Sequence, residues 1–132
     1  MKIVLDTPVL IAASISHAGV CAQLLEDVLS HHELIISDFI LDEISRRLRE
    51  TCQFPKTEIA ELCRFLRGAA TFVKPVEIDP YACRDPEDVA VLGTAIGGMV
   101  DLLISVDKDL PVFGSFSGID IVKPGEFWRR TT

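Results

Sequence analysis

The sequence lacks the features that mark membrane, secreted and low-complexity proteins. No apolar run reaches the roughly 18 residues that a membrane-spanning helix needs. The opening MKIVLDTP contains too short an apolar stretch for a signal peptide. The 132 residues contain no internal repeat, low-complexity tract or linker. These absences predict one domain over residues 1–132, a cytoplasmic location and no association with a membrane.

The cysteines and histidines do not have the spacings that are typical of metal sites or of catalytic motifs. The cysteines form no CxxC pair and no zinc-ligand pattern, so a zinc site is not indicated. They are Cys21, Cys52, Cys63 and Cys83. We interpret them as small, mostly buried thiols in a reducing compartment. No serine or cysteine nucleophile motif accompanies the three histidines, which favours a surface role for them.

The chain also lacks an excess of basic residues. It has 20 acidic and 13 basic side chains, which gives a formal net charge of −7. Taken alone, this balance argues against a nucleic-acid-binding protein, because such proteins usually carry a basic surface. Clustered acids are also what a metal site requires, and bound cations would offset part of the charge. The net charge therefore does not decide between these classes.

Apolar runs alternate with helical patterns along the chain. A hydrophobic fraction of 48% excludes a disordered chain and suggests central strands covered on both faces. Five strands are predicted, at 2–6, 33–37, 71–76, 101–105 and 119–123. Thr7 is expected to cap the first helix with Pro8 at its first position, and Pro75 places the third strand at an edge. This alternation predicts an α/β domain with a mainly parallel sheet of about five strands and helices on both faces.

Four acidic residues fall where a strand gives way to a helix or early in a helix. They are Asp6, Glu43, Asp88 and Asp107. Asp6 ends the first strand and Asp107 follows the fourth, so both should project from the carboxyl edge of the sheet, where α/β sheets bind ligands. Asp88 continues the buried face of its helix toward that edge, and Glu43 flanks a buried helical stripe. Carboxylates gathered in this way favour a hard cation such as Mg²⁺ or Mn²⁺, as in an enzyme that cleaves phosphodiesters.

Each of these acids also has an ordinary interpretation. Asp88 could complement the helix dipole, Asp107 could cap a turn, and Glu43 could be a solvated helix residue. The joint placement favours the metal site, because one sheet topology makes all four converge. Asp109 is a possible outer ligand of the same site. The other nearby acids are interpreted as capping or solvated residues, namely Asp85 and Glu87.

Four segments carry these acids in order: VLDTPVLIAA, LDEISRRL, RDPEDVAVLGTA and DLLISVDKDL. The combination resembles the PIN domain family and, more closely, the PIN-type toxins of bacterial and archaeal toxin–antitoxin modules. The resemblance covers nearly the whole chain and implies a three-layer α/β/α fold. It also implies that the four acids form the family's acidic quartet, which holds one or two Mg²⁺ or Mn²⁺ ions.

The same resemblance implies an activity and partners. Members of the family are typically endoribonucleases, so RNA is the expected substrate. Metal-activated water would attack the phosphodiester and leave a 5′ phosphate and a 3′ hydroxyl, without a covalent intermediate. A homodimer and a small antitoxin that covers the acid pocket are the expected partners.

Two positions depart from the family pattern. The family usually has asparagine where this chain has Pro8, and proline has neither an N–H nor a side-chain amide to offer a second-shell hydrogen bond. Ser105 stands where threonine is usual, and its hydroxyl can still bind Asp6. Thr7 and Ser105 are therefore expected to support the acids. Pro8 bears on the rate and the metal affinity more than on the existence of the site.

Basic residues suggest where an RNA strand could lie. Arg84 and Lys108 are next to the acids and are candidates for phosphate contacts, and Arg46 leads a group of arginines on the helix of Glu43. Arg47 and Arg49 follow on the same helix, and Arg64 and Arg67 come from the next helix. A solvated helix face, with these arginines paired to neighbouring acids, is the alternative.

Two other functions remain open at this point. A phosphoacceptor receiver-like domain also gathers acids around Mg²⁺, but it needs paired acids after the first strand, where this chain has Asp6 followed by Thr7 and Pro8. A catalytically weak or inactive PIN-like module that binds RNA or protein is the second, with Pro8 as the first sign of a decayed site. The retained quartet argues against it.

Overall fold

Strands and helices alternate in the computed structural model, which describes residues 1–83, 85–107, 110, 115–116 and 118–131. Within these residues the strands are β1 (Lys2–Leu5), β2 (Glu33–Ile36), β3 (Thr71–Phe72), β4 (Leu102–Ile104), β5 (Ser115–Phe116) and β6 (Ile119–Val122). The helices are α1 (Thr7–Ile15), α2 (Val20–His31), α3 (Asp38–Glu50), α4 (Lys56–Ala69), α5 (Pro86–Gly97) and α6 (Pro124–Thr131).

The strands form one sheet in the order β3-β2-β1-β4-β6-β5. The first five in this order run parallel, and β5 pairs antiparallel with β6. Consecutive residues of the central strands are buried, such as Val4 and Leu5 in β1, so the helices cover both faces. The predicted fold class, an α/β fold with a mainly parallel sheet, is confirmed.

Three details of the predicted elements are wrong. The first strand ends at Leu5, so Asp6 rather than Thr7 is the N-cap of α1, and the Asp6 side chain accepts a hydrogen bond from the Thr7 N–H. The third strand contains only Thr71–Phe72, although its place at an edge of the sheet is as predicted. The prediction also missed β5, because two residues are too few to give an alternating pattern.

No disulfide joins the cysteines in the described part of the chain; Cys83 is buried and the other three are half-buried. In the part of the chain that the structure describes, no single helix is long and apolar enough to cross a membrane. Only α1 and α2 taken together satisfy that test, and they are bent by 107° relative to each other. Both helices bury side chains in the core, including Leu10 and Leu24.

The segment after β3 leaves the sheet because it packs on the backbone of α5. The Val76 N–H donates to the Gly93 carbonyl at 2.9 Å. A Cβ at Gly93 would lie 2.4 Å from the Val76 carbonyl oxygen, and one at Gly97 would lie 2.4 Å from the Lys74 carbonyl oxygen. These two glycines therefore permit the close approach that holds α5, the helix of Asp88, in place.

Alanine at Gly93 is expected to destabilise the protein by about 1–3 kcal/mol, because the added methyl group meets backbone that cannot rotate away. Gly68→Ala is the matched control. Gly68 also lies in a helix, and a Cβ there has no heavy atom within 4 Å. The control should gain about 0.5–1 kcal/mol from helix propensity. Urea unfolding of both variants measures the difference, and equal stabilities would contradict the packing role of Gly93.

Candidate metal centre

Three of the four predicted acids meet at the carboxyl edge of the sheet. Asp6 follows β1, Asp107 lies three residues beyond β4, and Asp88 is in the first turn of α5. β1 and β4 are parallel neighbours with Leu5 opposite Ile104, so the chain leaves both strands at the same place. Each carboxylate offers an oxygen atom, and these atoms lie within 4.8 Å of one another.

The Asp6 carboxylate is held in one orientation. Its Oδ1 accepts from the Thr7 N–H at 2.8 Å, and its Oδ2 accepts from the Ser105 hydroxyl at 2.7 Å. The Ser105 oxygen in turn accepts from the Asp107 N–H at 2.9 Å, so Ser105 links two of the acids. Burial raises the pKa of Asp6 above its usual range, against the opposing effect of these two hydrogen bonds.

Ser105→Ala is expected to cost about 1–2 kcal/mol, because Asp6 Oδ2 and the Asp107 N–H would both lose this partner at a fully buried position. Ser14→Ala is the matched control, since the Ser14 hydroxyl binds a carbonyl of its own helix. That control should change stability by no more than about 0.5 kcal/mol. The free energies of unfolding of both variants are measured by urea titration. Equal losses of stability in Ser105→Ala and Ser14→Ala would contradict the bridging role of Ser105.

Asp88 is the most perturbed of the three acids. Its side chain is 4% exposed, and Oδ2 has no hydrogen-bond partner among the described residues. Burial raises the pKa of Asp88 to about 8, and the neighbouring Asp107 and Asp6 add to the shift. A buried oxygen left without a donor is costly and calls for an explanation. A divalent cation fits, because it would satisfy the orphaned oxygen and neutralise the mutual repulsion of the three carboxylates.

Glu43 lies outside the group of three. Its carboxylate forms an ion pair with Arg46 at 2.8 Å, lies 3.9 Å from the Arg47 Nε and shares a hydrogen bond with Glu87. The hydrogen bond from Arg46 holds the pKa of Glu43 below its usual range. Arg47 Nη2 donates to Glu87. We call these residues the Glu–Arg network: Glu43, Arg46, Arg47 and Glu87.

The three acids line one small cavity together with Arg47 and Glu87, two members of this network. The cavity has a volume of about 210 Å³. It is lined by Asp6, Thr7, Pro8, Arg47, Asp85, Glu87, Asp88, Val91, Val106 and Asp107. Arg47 is the one basic residue in this lining that belongs to the described part of the chain. We refer to it as the acid cavity.

The other predicted site residues have different positions. Arg46 is 43% exposed and also pairs with Glu50 and Glu87. Asp109, Arg84 and Lys108 lie outside the described residues. Near the end of the chain, Phe127 is fully buried, and its ring packs against that of Trp128 with the centroids 5.3 Å apart.

Sequence reasoning did not place Glu87 in the site. Glu87 was interpreted as a capping or solvated residue, yet it lines the acid cavity and joins α5 to α3 through Arg47. The sequence does indicate a pair within α3, since Arg47 lies four residues after Glu43 and such residues are neighbours on a helix face. What the sequence could not give was the packing of α3 against α5.

Comparisons with known proteins are consistent with this architecture. A family model described as "PIN domain" matches residues 2–109 of the chain. Among solved structures, one similar chain belongs to the crystal structure of VapBC2 from Rickettsia felis bound to a DNA fragment from their promoter. It superimposes with a TM-score of 0.63 at 16% sequence identity, over 93% of this chain and 98% of that chain. No curated protein sequence matches significantly.

Proposed function

Because the chain belongs to the PIN domain family, we propose that it is a metal-dependent endoribonuclease and the toxin of a toxin–antitoxin module. The observation that carries the proposal is Asp88 Oδ2, a buried oxygen without a partner in the described structure, beside two further carboxylates. Three oxygen ligands so close together are suited to Mg²⁺ or Mn²⁺.

Asp6, Asp88 and Asp107 would hold the cation. The chemistry that it supplies when bound is a hydroxide nucleophile near neutral pH and neutralisation of charge on the scissile phosphate. The protein's own contribution is orientation. Thr7 and Ser105 fix both oxygens of Asp6, and Ser105 also fixes the backbone at Asp107. Such supporting hydrogen bonds keep ligands in place.

Two of the acids must change state before they can act. With its pKa raised by burial to about 8, Asp88 would carry a proton in the metal-free protein at neutral pH and would have to release it. Glu43 would bind a second ion or orient the attacking water, which requires its carboxylate to leave Arg46. Hydrolysis would then leave a 5′ phosphate and a 3′ hydroxyl on the RNA.

The partners follow from the same proposal. A structural neighbour comes from a complex named VapBC2, bound to promoter DNA. By analogy, we propose a cognate antitoxin protein for this chain, a homodimeric toxin and a cytoplasmic location. An acid cavity lined by five carboxylates would attract a basic side chain of such an antitoxin.

Cleavage of a labelled single-stranded RNA tests the function. Wild type with Mn²⁺ or Mg²⁺, wild type with EDTA, and Asp88→Asn with metal are compared. The proposal expects cleavage by the wild type with metal and by neither of the others. Inactivity of the mutant also excludes a contaminating ribonuclease. A wild type that is inactive on varied RNAs, or equally active in EDTA, would contradict the proposal.

The alternative is a weak or inactive module that binds RNA or protein, and Pro8 favours it because this residue lines the acid cavity. Pro8→Asn is expected to raise the rate of RNA cleavage by about tenfold, since supporting hydrogen bonds of metal sites have effects of this size. Single-turnover rates under saturating metal measure it. An unchanged rate would mean that Pro8 does not limit the enzyme.

A further inference from the structure

A second cavity adjoins the acid cavity. It has a volume of about 450 Å³ and lies between α1 and the end of α3, with Ile11, Ala12 and Ile15 on one side and Thr51 and Cys52 on the other. We call it the α1–α3 groove. Pro8 and Arg47 line both cavities, so the groove lies directly beside the site of the three acids.

Arg47 therefore stands at the junction of a polar and an apolar cavity. Its side chain is 29% exposed, and its Nη2 binds Glu87. Its Nε also lies 3.9 Å from the Glu43 carboxylate. A guanidinium has five N–H donors in a fixed plane, so these two carboxylates leave other donors able to bind. A phosphodiester that enters the acid cavity meets five carboxylates and, within the described lining, a single cation. Arg47 is placed to offset that repulsion.

On the basis of the proposed ribonuclease function, we propose that Arg47 and the α1–α3 groove form a nucleotide subsite. Arg47 binds a phosphate beside the scissile bond, and the nucleoside attached to that phosphate lies in the groove. An RNA strand that is cut in the acid cavity must extend beyond this cavity, and the groove is the neighbouring cavity that shares Arg47 with it. Arg46 also lines the groove, which suits a polyanion.

The groove has the size of sites that hold small molecules, which are about 300–1,000 Å³. Its apolar wall consists of aliphatic side chains from α1. A nucleobase would be held there by apolar contact, without the donor and acceptor pattern that reads base identity. We therefore expect this subsite to accept different bases and to strengthen binding uniformly.

The first test measures RNA affinity. Asp107→Asn is used as a background that should not cleave, and binding of a fluorescein-labelled single-stranded RNA is followed by fluorescence anisotropy at several salt concentrations. Adding Arg47→Ala should weaken binding by about tenfold and reduce the salt dependence by about one phosphate contact. Arg49→Ala is the matched control, because Arg49 lies on the same helix, pairs with Glu50 and lines neither cavity. It should change affinity much less.

The second test uses the thiol that the groove already contains. Bound RNA should slow the alkylation of Cys52 by iodoacetamide several-fold in that background, measured by mass spectrometry of the peptides. Cys21 on α2 lies outside both cavities and should react at the same rate with and without RNA. This readout does not depend on turnover.

The outcomes separate the subsite from the function. RNA binding with Cys52 unprotected, or with Arg47→Ala and Arg49→Ala equivalent, overturns the subsite and leaves the ribonuclease standing. The groove would then be available to an apolar segment of a partner protein. If the wild type neither binds nor cleaves any RNA, both proposals fail. Protection of Cys52 together with a selective loss at Arg47 supports the subsite.

Discussion

Asp6→Asn is expected to lower the rate of RNA cleavage by about 10²–10³-fold, as the loss of one charged group that stabilises the transition state typically does. Both Asp6 oxygens are fixed by hydrogen bonds, and the side chain is 2% exposed. The amide has the same shape and can still accept from the Thr7 N–H, so the fold should be retained. What disappears is the negative charge that a cation needs at this position.

The control for Asp6→Asn is Asp101→Asn. Asp101 precedes β4 at the opposite end of the same sheet, where its Oδ2 accepts from the Lys2 N–H. The substitution is chemically identical and should leave activity unchanged. Initial rates on labelled RNA, together with urea unfolding of each variant, separate catalysis from stability. Activity in Asp6→Asn close to that of the wild type would remove Asp6 from the metal centre.

The parallel sheet and the position of the three acids were predictable from the sequence for a physical reason. Strands buried on both faces give continuous apolar runs, and a residue that follows such a run must emerge at the carboxyl edge. Asp6 and Asp107 satisfy this condition, and Asp88 shares a helix face with the buried Val91 and Leu92. Their convergence needed only the neighbouring positions of β1 and β4.

Features that depend on packing between distant segments were not predictable in this way. The segment after β3 reads as strand, yet it packs on α5 because two glycines allow backbone contact. The Glu–Arg network depends on how α3 meets α5, and no pattern in the sequence indicates that packing. The N-cap of α1 was misplaced by one residue, since aspartate and threonine are both good caps.

Asp88→Asn is expected to stabilise the metal-free protein near neutral pH, although the same change should abolish cleavage. Burial raises the pKa of Asp88 from its ordinary value of 3.8 to about 8. Each pKa unit corresponds to about 1.36 kcal/mol. Removing the titrating group should therefore raise the free energy of unfolding near neutral pH by on the order of 4 kcal/mol. Under the proposed function, Asp88 is thus a position where stability is given up for the ability to bind a cation.

The raised pKa of Asp88 also predicts how the stability of the metal-free protein changes with pH. A carboxyl with a raised folded pKa binds more protons in the folded than in the unfolded protein. The free energy of unfolding in EDTA should therefore fall from about pH 4 to about pH 8 and then level off. Asp88→Asn should remove most of the fall in unfolding free energy with pH. A smaller fall should remain in that variant, because the pKa of Asp6 is also raised.

Saturating Mg²⁺ should flatten the slope of the unfolding free energy against pH, because a cation binds the ionised carboxylates and competes with the proton on Asp88. The apparent metal affinity should rise by up to about tenfold per pH unit below pH 8, with release of about one proton on binding. Calorimetric titration with Mg²⁺ in two buffers of different ionisation enthalpy measures the number of protons released on binding. Wild-type stability that rises with pH in EDTA, or metal binding without proton release near pH 7, would mean that Asp88 is already ionised in the metal-free protein. The cation would then have no proton to displace, and its binding would depend on the charge of the three acids alone.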